Sequence, residues 1–416
     1  MRRVHVIGAG LAGLSAALHL AKSGAVVTLH EAAPHAGGRC RSFVDPVLGC
    51  TIDNGAHLML SGNGEVAAYL DAIGASHAMQ TASRARFDFF DGQSNQRWAL
   101  DLGYGQGLLS VLQAVLRRSH RPPGVSAWTL FKDLTALKSG QRETVASCVG
   151  ASPALQPFWE PLTVAVLNAH PDEAAAALLW RVVAETALKG GAYARPMTAR
   201  QGLGPALIDP ALDTLRRLGV TVRLGQRVQS LEFSGGRITG LNFADAAEVL
   251  ADTDHAVLAV AHFAAQDLLP GLSVPGDSRA ILNVHFKLPE AHPTPSMTGL
   301  VNSDAQWVFV RDAVASVTVS AADAWMDQDA EAIAHALWPD VAKVLGLASE
   351  MVAHRVIKER RATFGQTPEA LALRPSTRTA YANLFLAGDW TDTGLPATIE
   401  GALKSGRMAA QAVQDA

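Results

Sequence analysis

The stretch VHVIGAGLAG, residues 4–13, places an apolar β-strand directly before the pattern G-x-G-x-x-G. We expect Gly8 to turn the chain tightly off the strand, Gly10 to leave room for a pyrophosphate, and Gly13 to let the next helix pack against the sheet. The helix predicted over residues 11–23 presents its N-terminal amides and its dipole to those phosphates. The stretch therefore predicts the first turn of a Rossmann-like dinucleotide-binding domain.

Two further features indicate that the dinucleotide is FAD. Glu31 follows the next predicted strand, residues 25–30, at the point where an acidic side chain accepts hydrogen bonds from a ribose diol. Near the other end of the chain, the stretch LFLAGDW (384–390) is a second apolar strand that runs into Gly388 and Asp389. A glycine at this strand end lets a cofactor approach, and the aspartate can accept hydrogen bonds from ribityl hydroxyls or hold a helix start. The sequence thus predicts one FAD site that is formed by both ends of the chain.

The composition agrees with a two-domain enzyme that binds an apolar ligand. The chain has 416 residues, of which 49% are hydrophobic and 18% are charged, and its net charge of −3 gives no reason to expect nucleic acid as a partner. Its cysteines are Cys40, Cys50 and Cys148, an odd number without a C-x-x-C pair. We therefore expect neither disulfides nor a metal site, and we expect FAD to be bound non-covalently, because no cysteine lies near the second flavin stretch.

The first residues resemble a secretory signal, because Arg2 and Arg3 precede an apolar stretch. The glycines fall at phosphate-binding positions, however, and His5, His19 and Lys22 interrupt the apolar run. No later segment reaches the roughly 18 uninterrupted apolar residues that span a bilayer. We expect a cytoplasmic protein whose only membrane contact is peripheral, at the inner face of the membrane.

The order of strand and helix signals predicts an α/β protein with a discontinuous first domain. Strand signals fade before a turn near residue 91, helical periodicity dominates 103–189, and strand signals return over 220–260. We expect a Rossmann-like FAD-binding domain and a second, mixed α+β domain for the substrate. The FAD-binding domain is predicted to comprise residues 1–85, 195–265 and 350–416, and the substrate domain residues 86–194 and 266–349. The strands and helix expected in the last of these segments are 281–288, 307–311, 316–320 and, for the helix, 330–347.

The helical part of the substrate domain allows two interpretations. Residues 108–118 form an amphipathic segment that ends in basic residues, and bulky apolar side chains follow it at Trp128, Phe131, Phe158 and Trp159. The segment is either a membrane-facing entrance with its basic residues toward lipid headgroups, or a core helix with a solvated basic end.

Taken together, the motifs resemble the flavin amine oxidase and phytoene desaturase superfamily. Within it, the chain resembles the squalene-associated FAD-dependent desaturases of hopanoid biosynthesis, which act as hydroxysqualene dehydroxylases. The stretches that carry the second resemblance are DNGAH (53–57), WEPL with Leu167-Asn168 (159–168), KERRATF (358–364) and LPATIEG (395–401). One departure is Ala56, where we expect glutamine in that family, so a polar role for this side chain is in doubt.

The resemblance implies a set of cofactor contacts. Residues 37–41, GGRCR, allow close backbone approach and bring an arginine to a phosphate or to the flavin edge. Pro396 is placed to open the last helix, whose first amides near Thr398 and Ile399 would stabilise negative charge on reduced flavin. The other implied FAD contacts are Gly8, Gly10, Gly13, Glu31, Gly38, Arg39, Val228 through its backbone, Gly388 and Asp389.

The resemblance also implies the reaction, which is the reductive removal of an allylic hydroxyl from a polyprenyl lipid, hydroxysqualene, to give squalene and water. This chemistry needs an apolar tunnel and one proton donor near the flavin. His57 is our first candidate for the donor, with Asp53 as its orienting partner. Alternatively, both are structural residues, with His57 packed beneath the flavin. Glu160 and Asp392 are weaker candidates.

Three other functions share this architecture. A carotenoid desaturase uses oxidised flavin in an equally apolar tunnel, and a prenyl-binding carrier such as a Rab GDP-dissociation inhibitor uses no flavin. An amine oxidase would need an aromatic cage, which only four tyrosines and the stretch LPA (395–397) argue against. The glycine clusters at 103–107 and 202–204 lack the strand and helix of a nicotinamide site. We therefore expect the electrons to come from an external donor or reductase.

Overall fold

The structure is a computed structural model, and it describes residues 2–347 and 350–416. Its strands, in chain order, are β1 (Arg3–Ile7), β2 (Val26–His30), β3 (Ser42–Asp45), β4 (Cys50–Asp53), β5 (Met59–Leu60), β6 (Met79–Thr81), β7 (Ala85–Asp91), β8 (Arg97–Gly103), β9 (Pro196–Ala199), β10 (Thr221–Arg223), β11 (Ser230–Ser234), β12 (Arg237–Asn242), β13 (Ala247–Val249), β14 (His255–Leu258), β15 (Ser278–Val301), β16 (Trp307–Val319), β17 (His354–Phe364) and β18 (Leu384–Leu386). Its helices are α1 (Leu11–Lys22), α2 (Gly64–Ala72), α3 (Gly107–Leu116), α4 (Ala127–Ser139), α5 (Val145–Val149), α6 (Glu160–Leu167), α7 (Ala176–Glu185), α8 (Asp209–Arg217), α9 (His262–Leu268), α10 (Ala330–Leu345), α11 (Pro368–Ala372) and α12 (Ile399–Gln414).

The first sheet is parallel and has the strand order β10-β2-β1-β14-β18. Its central strands are buried on both faces, which is why they read as nearly continuous apolar runs. Helices α1 and α12 pack together on one face, and Gly406 permits this contact because a Cβ there would lie 2.2 Å from the carbonyl oxygen of Ala12. The antiparallel sheet β11-β12-β13 covers the other face, where Leu231 and Leu241 join the same core as Leu258. The predicted Rossmann-like domain is confirmed.

The second sheet is built around the 24-residue strand β15. One edge of β15 pairs with β16, while the other edge pairs with β17 in its first half and with β7 near its end. Strand β8 extends the sheet beyond β7, and α10 packs its apolar face against it, with Trp338 beside Phe286 at a ring-centroid distance of 5.2 Å. A mixed sheet with helices is the predicted α+β substrate domain.

Three details of this sheet differ from the sequence analysis. The hairpin β7–β8 lies where strand signals were thought to fade. The two strands expected over 307–320 are one strand, which Asp312 bends with a φ of +52°. Strand β17 pairs with β15, so residues 354–364, which the sequence analysis placed in the FAD-binding segment 350–416, extend the second sheet. Strands β7, β16 and β17 all pair with β15, and β7 and β17 are distant from it in sequence.

Two ion pairs connect the second sheet to the segment that follows β2. Arg311 of β16 donates to the carboxylate of Asp53 at the end of β4, with a distance of 3.0 Å, and Asp53 is buried. Arg355 of β17 pairs in the same way with the buried Asp45 of β3. Helices α3 to α7 form a separate layer with its own apolar core, which encloses the space between the sheets.

Candidate active site

The three strand ends that the sequence singled out meet at one edge of the parallel sheet. Strand β1 lies between β2 and β14, and β18 lies next to β14. Because all of these strands are parallel, the residues after their carboxyl ends share one edge, which is where open α/β sheets bind ligands. Gly8, Glu31 and Gly388 are therefore brought together, and all three line one large cavity.

The glycine loop after β1 has the geometry of a phosphate cradle. Gly8 has a φ of +106°, and a Cβ at Gly13 would lie 1.8 Å from the carbonyl oxygen of Gly8. At Gly10, by contrast, no heavy atom lies within 4 Å of an added Cβ, and the residue faces the cavity. The loop thus leaves open space where a pyrophosphate would approach, and the residues present fit FAD.

Glu31 holds this loop in place. Its two carboxylate oxygens accept hydrogen bonds from the backbone N–H groups of Ala9 and Ala33, each at 2.8 Å. Each oxygen keeps a second lone pair for a ligand. Val228 is buried and lines the cavity from the segment between β10 and β11.

Arg39 and Asp389 join the two predicted halves of the site directly. The Nη2 atom of Arg39 donates to Asp389 at 2.9 Å from Oδ1 and 2.8 Å from Oδ2, and the Nη1 atom donates to the carbonyl oxygen of Ala362. The carboxylate of Asp389 raises the pKa of Arg39, so the guanidinium stays charged. Gly38 brings the backbone close to the phosphate loop, since a Cβ at Gly38 would lie 3.5 Å from the Cα of Gly10.

The last helix points its N-terminus into the cavity. Thr398 is its N-cap residue and accepts a hydrogen bond from the backbone N–H of Gly401 at 3.2 Å, and Ile399 is the first helical residue. From the sequence we expect Pro396 to open this helix, but Pro396 lies two residues before the N-cap. The buried Arg374, which the sequence analysis did not single out, donates to the carbonyl oxygens of Asp389, Thr391 and Leu395 and fixes the segment between β18 and this helix.

The predicted pair of His57 and Asp53 is not formed. The carboxylate of Asp53 accepts hydrogen bonds from Ser42, from the backbone N–H of Leu203 at 2.8 Å, and from Arg311. Asp53 therefore ties the loop before α8 and the second sheet to β4. The sequence could not show this, because all three partners are distant along the chain or belong to other strands.

The ring of His57 is oriented by a backbone carbonyl instead. Its Nδ1 atom lies 2.9 Å from the carbonyl oxygen of Gly55, and because a carbonyl only accepts, Nδ1 carries the hydrogen. The neutral ring therefore presents Nε2 as an acceptor, and His57 lines the cavity. Burial lowers the pKa of His57 and so favours the neutral ring. To act as a proton donor at Nε2, the ring must first take up a proton there.

The weaker candidates lie elsewhere. Glu160 does not line the large cavity, and Asp392 is exposed beside a different, smaller pocket. Two other residues, from the stretches that carry the family resemblance, line the large cavity instead. Asn168 donates to Thr363 at 2.9 Å, and Glu359 accepts a hydrogen bond from Asn54 at 3.2 Å. The stretches DNGAH and KERRATF contained this pair, but only the structure shows that they touch.

The cavity measures about 1860 Å³, well above the range of about 300–1,000 Å³ that is typical of ligand pockets. It runs from the glycine loop into the helical layer, where its lining is dominated by apolar side chains. These include Leu100, Leu102, Val111, Val115, Leu130, Leu134, Phe158, Leu162 and Val166. One end of the cavity thus suits a dinucleotide, and the other a long hydrocarbon.

In the described part of the chain, one group of side chains has metal-binding spacing. It consists of His5, His30 and Glu248. The two rings hydrogen-bond to each other, with 3.2 Å between Nδ1 of His5 and Nε2 of His30, and Glu248 pairs with Arg223 at 3.0 Å. These contacts link the three side chains to one another and to Arg223, while Nε2 of His5 and Nδ1 of His30 are buried and have no hydrogen-bond partner among the described residues.

Comparison with known proteins agrees with the site. The family model for flavin-containing amine oxidoreductases matches residues 11–414. A hydroxysqualene dehydroxylase of Sinorhizobium fredii is 41% identical over 98% of this chain and 97% of its own length. A zeta-carotene desaturase of Synechocystis is 24% identical over 99% of this chain and 97% of its own length.

The fold also matches solved structures. The crystal structure of an oxidoreductase from Methanosarcina mazei superposes with a TM-score of 0.73 at 14% identity and covers all of both chains. The match at this low identity concerns the fold alone. With FAD as its cofactor, the chain is an FAD-dependent oxidoreductase that belongs to the flavin-containing amine oxidoreductases and, among them, to the family of the hydroxysqualene dehydroxylases.

Proposed function

We propose that this enzyme reduces hydroxysqualene to squalene. The observation that carries the proposal is the single cavity in which the glycine loop at one end continues into an apolar chamber in the helical layer. A C30 hydrocarbon needs such a chamber, and an amine does not. The relative from Sinorhizobium fredii, whose name states this reaction, supports the same substrate.

We assign FAD to the residues that the sequence pointed to. Gly8, Gly10 and Gly13 would hold the pyrophosphate, and Glu31 the adenosine ribose. The remaining contacts would be made by Gly38, Arg39, Gly388 and Asp389, by the backbone of Val228, and by the amides near Thr398 and Ile399. In this assignment, the Arg39–Asp389 pair closes the site between its two halves.

When bound and reduced, FAD supplies the hydride that replaces the hydroxyl. The protein must then hold the C–O bond beside the flavin, exclude water from the chamber, and deliver one proton to the leaving oxygen. His57 is our candidate for that proton transfer, through Nε2, after uptake of a proton from solvent. Gly55 fixes its ring, and Asp53 positions the surrounding loops rather than the ring.

The electrons must come from outside the chain. The nucleotide-binding loop after β1 is assigned to FAD. Against the sequence prediction, the loop at 103–107 does join a strand, β8, to a helix, α3, but β8 is antiparallel to β7 and lies outside the parallel sheet. A Cβ at Gly202 would lie 2.8 Å from the carboxylate of Asp53, so neither loop has the setting of a nicotinamide site. We therefore propose a separate reductase or a diffusible reduced flavin as the donor. Hydroxysqualene reduction should be slow with NADPH alone and accelerate when a reductase is added. Rapid, stoichiometric NADPH oxidation by the isolated enzyme would contradict this.

We also propose that the enzyme takes up its substrate from a membrane surface. The residues that the structure describes include no helix with the length and hydropathy needed to cross a bilayer. Helices α3 and α4, however, expose apolar side chains beside the cavity. Leu108, Leu112 and Phe131 are exposed and line it, and Leu109 (75% exposed) and Trp128 (68% exposed) extend the apolar surface on the same two helices. The exposed Arg117 and Arg118 lie at the end of α3. This arrangement suits an anionic lipid surface.

Sedimentation with vesicles tests the membrane proposal. The wild-type protein should bind phosphatidylglycerol vesicles, and Leu109→Asp with Trp128→Asp should release it. Val249→Asp is the matched control, because Val249 is 79% exposed on β13, away from the cavity. Equal binding by all variants, or no binding by the wild type, would refute this part of the proposal.

Product analysis tests the reaction itself. We would incubate the reduced enzyme anaerobically with hydroxysqualene and the oxidised enzyme with phytoene, and identify the products by gas chromatography and mass spectrometry. Squalene in the first reaction and no product in the second are expected. Desaturated phytoene without squalene would assign the enzyme to the carotenoid desaturases.

A further inference from the structure

A buried amide in β15 faces the cavity from the second sheet. Asn283 is 3% exposed and lines the cavity with its neighbour Thr318 of β16. The hydroxyl of Thr318 donates to Oδ1 of Asn283 at 2.9 Å. The amide is thereby held in one orientation, with its Nδ2 atom on the other side.

The Nδ2 atom of Asn283 lies against Gly55. A Cβ built at Gly55 would be 2.7 Å from Nδ2, so any other residue would collide with the amide. Gly55 does not have the left-handed φ that would require glycine by itself. In the described structure, no protein group accepts a hydrogen bond from Nδ2. Nδ2 remains accessible from the cavity, so a ligand there can supply the acceptor.

The ring of His57 lies on the same residue. Its Nδ1 atom donates to the carbonyl oxygen of Gly55, and its Nε2 atom has no partner among residues 2–347 and 350–416. Gly55 is thus flanked by an unused donor, from Asn283, and by a nitrogen that accepts in the neutral ring and donates after protonation. A hydroxyl group both accepts and donates, so it matches this pair, while a hydrocarbon does not.

We propose that Asn283 and His57 together bind the substrate hydroxyl. This inference rests on the proposed function and adds a residue that neither the motifs nor the resemblance indicated. The subsite lies near the cofactor residues. Asn54, the residue before Gly55, donates a hydrogen bond to Glu359, and the negative charge of Glu359 contributes to the raised pKa of Arg39. The hydroxyl-bearing carbon would therefore be held near the flavin, with the hydrocarbon chain in the apolar chamber.

The subsite has a defined part in the reaction. The C–O bond breaks with its electron pair on oxygen, the hydride from reduced FAD forms the new C–H bond, and the oxygen takes one proton and leaves as water. The N–H of Asn283 stabilises the negative charge that develops on the oxygen, in the manner of an oxyanion-hole donor. His57 passes on the proton that its Nε2 atom has taken from solvent.

Binding measurements separate this role from a structural one. Squalene differs from hydroxysqualene by the hydroxyl, so the ratio of their Kd values reports on the subsite. We would measure both with the oxidised enzyme, from the change in flavin absorbance. The wild type should bind hydroxysqualene about tenfold more tightly, the effect of one or two buried hydrogen bonds. In Asn283→Leu the ratio should fall to about one, with bound FAD and squalene affinity retained.

Two more variants complete the test. Thr318→Val removes the group that orients the amide and should lower the ratio partly, and it decides the question if Asn283→Leu does not fold. Asn242→Leu, on β12 outside the cavity, is the control and should behave like the wild type. An unchanged ratio in a folded Asn283→Leu, or in Thr318→Val if that variant must decide, would overturn the inference while leaving the function intact. If the wild type does not convert hydroxysqualene at all, the proposed function and the subsite both fail.

Discussion

Replacing Gly10 with valine should separate cofactor binding from folding. Gly10 is the N-cap residue of α1 and has an extended backbone, with φ −73° and ψ 177°, which valine adopts without strain. A Cβ at this position meets no heavy atom within 4 Å. Loss of the glycine N-cap costs up to about 1 kcal/mol, and the reduced freedom of the unfolded chain offsets part of this. The apoprotein should therefore remain folded.

The effect on FAD should be large. The valine methyl groups would occupy the open space over the loop, where our assignment expects the pyrophosphate to accept hydrogen bonds from backbone amides. Losing two such bonds, at about 1.5–3 kcal/mol each, weakens binding by about 3–6 kcal/mol. This corresponds to an increase in the Kd for FAD of roughly 10²- to 10⁴-fold.

The assay compares flavin content and stability. We would measure the flavin-to-protein ratio of the purified protein, the Kd for FAD by calorimetry, and the thermal unfolding of the apoprotein. Gly276→Val is the matched control, because Gly276 is exposed, has open space around its Cβ position and does not line the cavity. Gly13→Ala should instead destabilise the apoprotein, since its Cβ would collide with Gly8. Gly10→Val protein that purifies with full FAD would refute the assignment of this loop.

Three further predictions follow from the site and from the buried histidines. Glu31→Ala should lower FAD affinity about 10- to 100-fold by calorimetry, because it removes a ribose partner and the acceptor of two loop amides; full retention would exclude Glu31 from the site. His57→Ala should keep FAD but slow turnover by roughly two to four orders of magnitude. Since burial lowers the pKa of His57, wild-type turnover should rise as the pH falls below 6.5. Turnover that is unaffected by both the substitution and the lower pH would leave His57 as a packing residue. Burial lowers the pKa of His30 and of His285 to about 4, so the unfolded chain binds more protons below pH 6.5. The free energy of unfolding should be constant above pH 6.5 and fall as the pH approaches 4, by about 3 kcal/mol per histidine. Urea unfolding at a series of pH values measures this, and a constant stability across that range would contradict it.

Local sequence carried most of the cofactor half of the site. The glycine loop, Glu31 and the residues after β18 lie at strand ends, and the strands and helices that position them have strong local patterns. Parallel pairing then brings those ends to one edge of a sheet, so their meeting follows from the fold class alone. This explains why two stretches nearly 380 residues apart in sequence were predicted to form one site.

The substrate half depends on contacts that no local pattern contains. Asp53 was paired with His57 because the two are close in sequence, but Arg311 comes from β16 and satisfies the carboxylate. Asn283 lies inside a strand whose pattern indicates only burial, and its role depends on its approach to Gly55. The pairing of β17 with β15 could not be predicted for the same reason, because the partner strand begins 76 residues earlier (354 − 278).

The most direct test of the account is a single turnover in D₂O without oxygen. The enzyme, with its flavin fully reduced and no reductase present, is mixed with hydroxysqualene while the flavin absorbance is recorded, and the product is analysed by mass spectrometry. Because hydrogen on N5 of reduced flavin exchanges with solvent, the account predicts one squalene per flavin oxidised, with one deuterium at the carbon that lost the hydroxyl. Squalene without deuterium, or flavin that stays reduced while hydroxysqualene is recovered unchanged, would contradict it.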